Sequence, residues 1–179
     1  MLFRSAAKWR LNIPGARRLA VRAGLRRLGR ADDDLADRIA DAFLEMRRRE
    51  YTLFPDALAT VDALRAKGVR LALVTNGAAD MQRPKIARFD LAHRFDHIQI
   101  EGEFGMGKPE LDVYRHALEK LGCQACDAWM VGDNYEWEVV APQSLGMQGI
   151  WYNPFDVEPP AHAIRPMRVI KRLGELIEE

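Results

Sequence analysis

From Leu53 onward, short apolar runs alternate with segments of helical periodicity, and that alternation restricts the fold more than any other feature of the chain. Val69-Arg-Leu-Ala-Leu-Val-Thr75 reads as an apolar strand, and residues 96–100, 128–131, 149–151 and 167–170 read as further short strands. Between them, residues 56–67, 79–88, 109–121 and 135–145 repeat apolar side chains at helical spacing, and a last helix is expected after Ile170. Pro109 suits the first position of its helix, where its missing N–H has no partner to lose. Pro84 and Pro142 should bend theirs. Strands that alternate with helices pair in parallel, because each crossover carries a helix back over the sheet. The expected class is therefore α/β, a parallel sheet with helices on both faces.

Residues 1–52 follow a different rule, with helical periodicity alone. Pro14 and Gly15 open one helix and Gly29 stops it; Asp32-Asp33-Asp34 then supplies an N-cap and first-turn negative charge for a second. That second helix carries Leu35, Ile39, Phe43 and Ala36, Ala40, Leu44 as an i, i+4, i+8 stripe and ends on Arg47-Arg48-Arg49. The boundary falls at Leu53-Phe54-Pro55-Asp56, giving a small helical part at 1–52 and a larger α/β part at 53–179.

Net charge is +1, so no global field draws the chain to nucleic acid or to a membrane surface. The balance is uneven: residues 1–50 hold 13 Lys/Arg against 7 Asp/Glu, the rest 14 against 19. The basic helices either face an anionic substrate or form a solvated surface. No apolar run approaches the ~20 residues of a membrane span, and the first ten residues lack the pattern of a signal peptide, so a cytoplasmic location is expected. Cys123 and Cys126 form a C-x-x-C spacing without the second ligand pair a structural zinc site requires, and read as loop residues. His93, His97, His116 and His162 fit no chemical motif and read as structural or surface residues.

Chemistry in an open parallel sheet gathers beyond the carboxyl ends of the strands. Strand 69–74 runs into Thr75-Asn76-Gly77, and strand 128–131 into Gly132-Asp133-Asn134; between them lies Gly105-Met-Gly-Lys108-Pro109. A hydroxyl, an amide and backbone N–H groups at Thr75, Asn76 and Gly77 can hold phosphate oxygens. Lys108 adds a point charge. Asp133 offers a hard oxygen ligand for Mg²⁺, and Glu138, a little over one helical turn on, can reach back as a second ligand or anchor metal-bound water. Hydroxyl, ammonium and metal together stabilise a transferring phosphoryl group.

LVTNG (73–77), GKPE (107–110) and VGDNYEWEV (131–139) resemble three of the motifs of the haloacid dehalogenase (HAD) superfamily, and Gly146-Met147 stands where such proteins commonly carry a Gly-Met pair. FPDALATVDALRAKG (54–68) is similar to the family's return from a helical cap to its core. The resemblance covers about residues 50–179, and residues 1–50 are similar to part of a cap. It implies a Rossmann-like core and a hydrolase of the phosphatase kind, acting on a small phosphorylated metabolite. By that resemblance Thr75 binds phosphate, Lys108 bridges the phosphate and a nucleophilic carboxylate, and Asp133 binds Mg²⁺ with Glu138 in support. Two departures stand out. The family usually has Asp where this chain has Glu138. The family's first motif, an Asp-x-Asp ending an apolar strand near the N-terminus, is not matched: Asp32-x-Asp34 precedes a helix and reads as its cap. The nucleophile strand would lie between the strands ending in Thr75 and Asp133. Without it, two strand edges are left bare, and the chain is expected to fold poorly or aggregate and to be catalytically incomplete as given. A 2-haloacid dehalogenase, faintly suggested by Trp137, and a non-catalytic binding module are the alternatives.

Overall fold

The computed structural model describes residues 9–178. The chain divides into two compact units, 1–52 and 53–179.

The first unit is a pair of helices, α1 (Ile13–Arg27) and α2 (Asp33–Glu50). Asn12 caps α1 by accepting the Gly15 N–H at 3.0 Å, and Asp32 caps α2 by accepting the Leu35 N–H at 2.9 Å. Asp32 is thus a cap, the role its sequence context indicates. Of the apolar stripe, Ala36, Ala40 and Leu44 are buried, while Ile39 lies at the surface. The arginines have a specific use. Arg18 pairs with Asp41 at 2.8 Å, Arg22 with Asp37 at 2.7 Å and Arg26 with Asp33 at 3.1 Å. Each step of four along α1 is matched by a step of four backwards along α2, so the ladder records an antiparallel register. Exposed pairs contribute only about 0–1 kcal/mol each; their value here is in fixing which turn faces which. Arg17 lays its guanidinium over the Phe43 ring, 4.2 Å from the centroid. Three of the basic residues are thereby matched to aspartates of the same hairpin.

The second unit contains α3 (Ala57–Ala66), β1 (Ala72–Thr75), α4 (Ala79–Arg88), β2 (His97–Ile100), the short α5 (Glu101–Phe104), α6 (Leu111–Leu121), β3 (Trp129–Gly132), a π-helical segment (Glu136–Val140) running into the single turn α7 (Ala141–Gln143), β4 (Gln148–Tyr152) and β5 (Arg168–Ile170). All strand pairings are parallel. Among the described residues they form two ladders, β1–β2 and β3–β4–β5, and no strand joins β1 to β3. Helix α6 serves both. It turns Val113, Tyr114 and Ala117 inward, and Tyr114 packs with Ala128, Ala141 and Met147. The Tyr114 hydroxyl donates to the Trp137 carbonyl at 2.6 Å, while the Val113 carbonyl accepts from the Gln99 amide of β2 at 3.0 Å.

Three local expectations are corrected. The first strand pairs only from Ala72, not from Val69: the Leu71 N–H is taken by the Asp96 carboxylate at 2.7 Å, and the Arg70 guanidinium turns away to the Gly122 carbonyl. The helix expected from Pro109 starts at Leu111, because residues 107–110 form a turn closed by Glu110 N–H to the Gly107 carbonyl at 3.1 Å. The expected C-terminal helix is one 3-10 turn, Leu173–Leu176. There the Glu175 carboxylate draws the Lys171 and Arg172 N–H groups onto itself at 2.9 and 2.8 Å.

A pair of histidines braces α6 against β2. His97 Nε2 and His116 Nδ1 approach the same oxygen, Gln99 Oε1, at 3.3 and 2.9 Å. Because the other end of that amide donates to Val113, the oxygen must face the rings, and each imidazole donates its N–H there. Burial lowers the His97 pKa from its ordinary value; the Gln99 hydrogen bond opposes this, and the charges of His116 and Lys120 add to the lowering. The unfolded chain then takes up the proton first as pH falls. The contribution of His97 to stability is therefore complete above 6.5, the ordinary value, and is lost as pH drops below it. The thermal midpoint should fall between about pH 8 and pH 5, and His97→Gln should flatten that slope. A slope unchanged in the variant would remove His97 from the account.

Candidate active site

The carboxyl end of β1 continues into Asn76 and Gly77, and Asn76 is a clamp. Its Nδ2 donates to the Lys108 carbonyl at 2.8 Å, and its Oδ1 accepts the Lys108 N–H at 2.8 Å. A primary amide matches a backbone peptide on both edges in this way, so residue 108 is held by two hydrogen bonds. Gln82 donates to the Asn76 carbonyl at 2.6 Å and steadies the clamp from α4.

The Lys108 ammonium donates to Glu138 Oε1 at 2.7 Å. Both residues are buried, Lys108 8% and Glu138 2% exposed. Glu138 reaches this place because of the backbone beneath it. The Ala141 N–H bonds to the Glu136 carbonyl five residues back, and Pro142 has no N–H to give. The resulting π-turn sets Glu138 and Val139 side by side on the inward face. Gly132, at the end of β3, leaves room for the Glu138 side chain; a Cβ there would collide with Glu138 Cγ. Burial pushes the Glu138 carboxyl up from the usual carboxylate range; the Lys108 charge and hydrogen bond pull it down, and the Asp133 charge pushes it up again. Glu138 Oε2 is buried without a hydrogen-bond partner among the described residues. A carboxylate oxygen in that position accommodates a cation or a proton.

Asp133 is solvent-exposed beyond β3, its backbone carbonyl fixed by Trp151 Nε1 at 3.0 Å. Thr75 is half-buried, and its hydroxyl makes only a long 3.4 Å contact to the Asn76 carbonyl. The structure thus links Asn76, Lys108 and Glu138 in one chain of hydrogen bonds and leaves Thr75 and Asp133 beside it. The Gly77 N–H is already engaged, donating to Glu101 Oε2 at 2.8 Å. Glu101 and Gln82 were not foreseen from the sequence. Glu101 follows β2 directly, so it too stands at a carboxyl strand end, and the adjoining Gly102 is the one local signal that could have marked it.

The donor set can be weighed against Mg²⁺. Among the described residues no group of three or more His, Cys, Asp or Glu side chains comes together. Mg²⁺ is often held by only one or two carboxylates with water completing its octahedron. Asp133 with the unpartnered Glu138 Oε2 fits that minimal set. Cys123 is half-buried and Cys126 exposed, and both are free thiols.

The parallel α/β fold, with Thr75 and Asp133 at the carboxyl ends of β1 and β3 and a buried Lys108–Glu138 pair from the loop before α6 and the π-turn after β3, is that of a hydrolase core of the HAD kind. The model of the haloacid dehalogenase-like hydrolase family matches residues 5–146, and the chain belongs to that family. It is 38% identical over 156 residues to the phosphoserine phosphatase of Thermus thermophilus, a match covering 81% of this chain and 62% of that protein. Among solved structures it resembles a 2-haloacid dehalogenase from Pseudomonas syringae pv. Tomato, with 30% identity, 99% of this chain and 74% of that one covered, and a TM-score of 0.68. It also resembles YfnB of Bacillus subtilis, described as a HAD-hydrolase and solved bound to magnesium, with 26% identity, 86% and 66% covered, and a TM-score of 0.72. The chain spans less than two thirds of the length of the curated relatives it matches, 62% of the Thermus protein and 44% of a glyceraldehyde 3-phosphate phosphatase from Methanothermobacter thermautotrophicus. No helix among the described residues is long and apolar enough to cross a membrane.

Proposed function

We propose that this chain is the greater part of a Mg²⁺-dependent, cytoplasmic phosphomonoester hydrolase that works through an aspartyl-phosphate, with residues 1–52 as part of a substrate-selecting cap. The observation that carries the reading is the buried Lys108–Glu138 pair, with a free carboxylate oxygen at the sheet's carboxyl end beside Asp133. The phosphatase relatives act on small phosphorylated compounds by their names, and the same substrate class is assigned here. Thr75 is assigned to bind a phosphate oxygen. Lys108 neutralises charge between the phosphate and the attacking carboxylate. Asn76 holds Lys108 in place, and Gly77 shapes the turn around the site. A carboxylate oxygen attacks phosphorus, the alcohol leaves, and water then releases phosphate from the acyl phosphate. Bound at Asp133 and Glu138, Mg²⁺ would supply charge neutralisation of the phosphoryl oxygens. The attacking carboxylate is not among the 179 residues on this reading, because the sequence has no Asp-x-Asp at the end of an apolar strand.

A second reading, a 2-haloacid dehalogenase, draws on the Pseudomonas syringae structure. The phosphatase is favoured because Gly132-Asp133, at the carboxyl end of β3, offers an exposed carboxylate of the kind that binds Mg²⁺. Calorimetric titration of Mg²⁺, or Mn²⁺ line broadening, should show weak binding by the wild-type chain and a clear loss in Asp133→Asn. Equal binding by the two proteins would remove Asp133 from the metal site.

A further inference from the structure

Glu101 is an acidic side chain only 4% exposed, at a point where an unneeded carboxylate would be costly to bury. It lies between the two loops that build the site. On one side its Oε2 accepts the Gly77 N–H at 2.8 Å, and the neighbouring Gly102 N–H donates back to the Gly77 carbonyl at 3.0 Å. This reciprocal pair fastens the Thr75–Gly77 turn to the start of α5. On the other side the carboxylate fills the space over Gly107: a Cβ at residue 107 would lie 2.7 Å from Glu101 Oε1. Gly102 is equally confined, since a Cβ there would meet the Ala79 nitrogen at 2.8 Å. Gly77 and Gly107 adjoin Asn76 and Lys108, the two residues joined by the amide clamp.

We infer that Glu101 is a positioning residue, which sets Lys108 by pinning the Thr75–Gly77 turn and the Gly105–Lys108 loop against each other. The inference rests on the assignment of Lys108 to the phosphate site. Two short routes lead from its carboxylate to residue 108. One passes through the Gly77 amide and the Asn76 clamp, the other through the packing over Gly107. A charged acceptor makes a stronger hydrogen bond to an amide than a neutral one, and this is the reason for an acid at this place. Glutamine has nearly the same shape and keeps an oxygen acceptor without the charge.

The test uses the full chain with amide-resolved NMR and inorganic phosphate as the probe. In the wild type the Gly77 amide proton should resonate far downfield, as expected for an amide bonded to a carboxylate. In Glu101→Gln it should move upfield, with a smaller displacement of the Lys108 amide. In Glu101→Ala both signals should shift further, and phosphate binding should weaken about tenfold or more, the scale of losing one charge-assisted hydrogen bond. Glu101→Gln should recover part of that loss. Gly77 and Lys108 amide signals unmoved in a folded Glu101→Gln protein would overturn the proposal, and that variant decides the matter if Glu101→Ala does not fold. Phosphate binding absent from the wild type would count against the phosphatase reading, while the amide signals still judge Glu101.

Discussion

A protein that carries an apolar strand ending in Asp-x-Asp ahead of this sequence will hydrolyse a generic phosphomonoester in the presence of Mg²⁺, and the 179-residue chain alone will show essentially no turnover. The expectation comes from the two separate ladders. Leu73, Val74 and Thr75 of β1 are only half-buried, and β3 leaves Trp129 exposed, although both strands are apolar and are followed by site residues. By contrast, β4 buries Gly149 through Tyr152. Among the described residues, β1 pairs only with β2 and β3 only with β4, so each has one unpaired edge. A strand inserted there would pair about 4.8 Å from each neighbour. Its carboxyl end would lie near Lys108, whose ammonium is held on Glu138 at 2.7 Å. In the extended protein, Lys108→Ala should lower kcat/KM on the order of 10²-fold or more, as expected for loss of one preorganised charge. Changing the first Asp of the added motif to Asn should abolish turnover. Robust hydrolysis by the unextended chain would refute this account of the nucleophile.

The parts of the structure legible in the sequence are those set by periodicity and by short-range chemistry. The alternation after Leu53 gives the parallel α/β class because strands and helices have different apolar periods. Asp32 is legible as a cap because its partner, the Leu35 N–H, is three residues away. Thr75, Lys108 and Asp133 are legible as candidates because each lies within two residues of a glycine in the segment that follows a strand or precedes a helix. What could not be read is what depends on partners distant in the chain. Nothing local says that the Asn76 amide will close on Lys108, 32 residues on, or that Glu101 will take the Gly77 N–H. The sequence of 135–145 indicates a helix bent at Pro142 but not a π-turn, since a wider hydrogen bond of i to i+5 leaves no mark in composition. The arginine ladder of the first unit shows in the sequence only as uneven charge, because its aspartates belong to the next helix and the pairing appears only once the two helices are set antiparallel.

Glu138→Ala should destabilise the chain by about 3–5 kcal/mol, the scale for removing one partner of a buried ion pair. Domain stability is only about 5–15 kcal/mol in total, so the variant should unfold at much lower urea. The cost comes from what remains. Lys108 has a side chain only 10% exposed, and its backbone is fixed by the Asn76 clamp, so the ammonium cannot easily swing out to water. Glu138→Gln should cost less, because its oxygen still accepts from the ammonium. The double change Lys108→Met with Glu138→Leu should recover most of the loss, since removing both charges also removes both desolvation penalties. A pH arm separates charge from packing. Burial raises the Glu138 carboxyl above its ordinary 4.5, so the folded chain holds this proton over a range where the unfolded chain has released it. The stability that Glu138 contributes is complete below 4.5 and declines as pH rises through the raised value. The gap between wild type and Glu138→Gln in urea denaturation should therefore narrow from about pH 4 to pH 7. A gap that widened over that range would mean that the Lys108 charge outweighs burial at this carboxylate. A Glu138→Ala cost within about 1 kcal/mol, as for a surface pair, would mean that Lys108 finds water or another partner when Glu138 is gone.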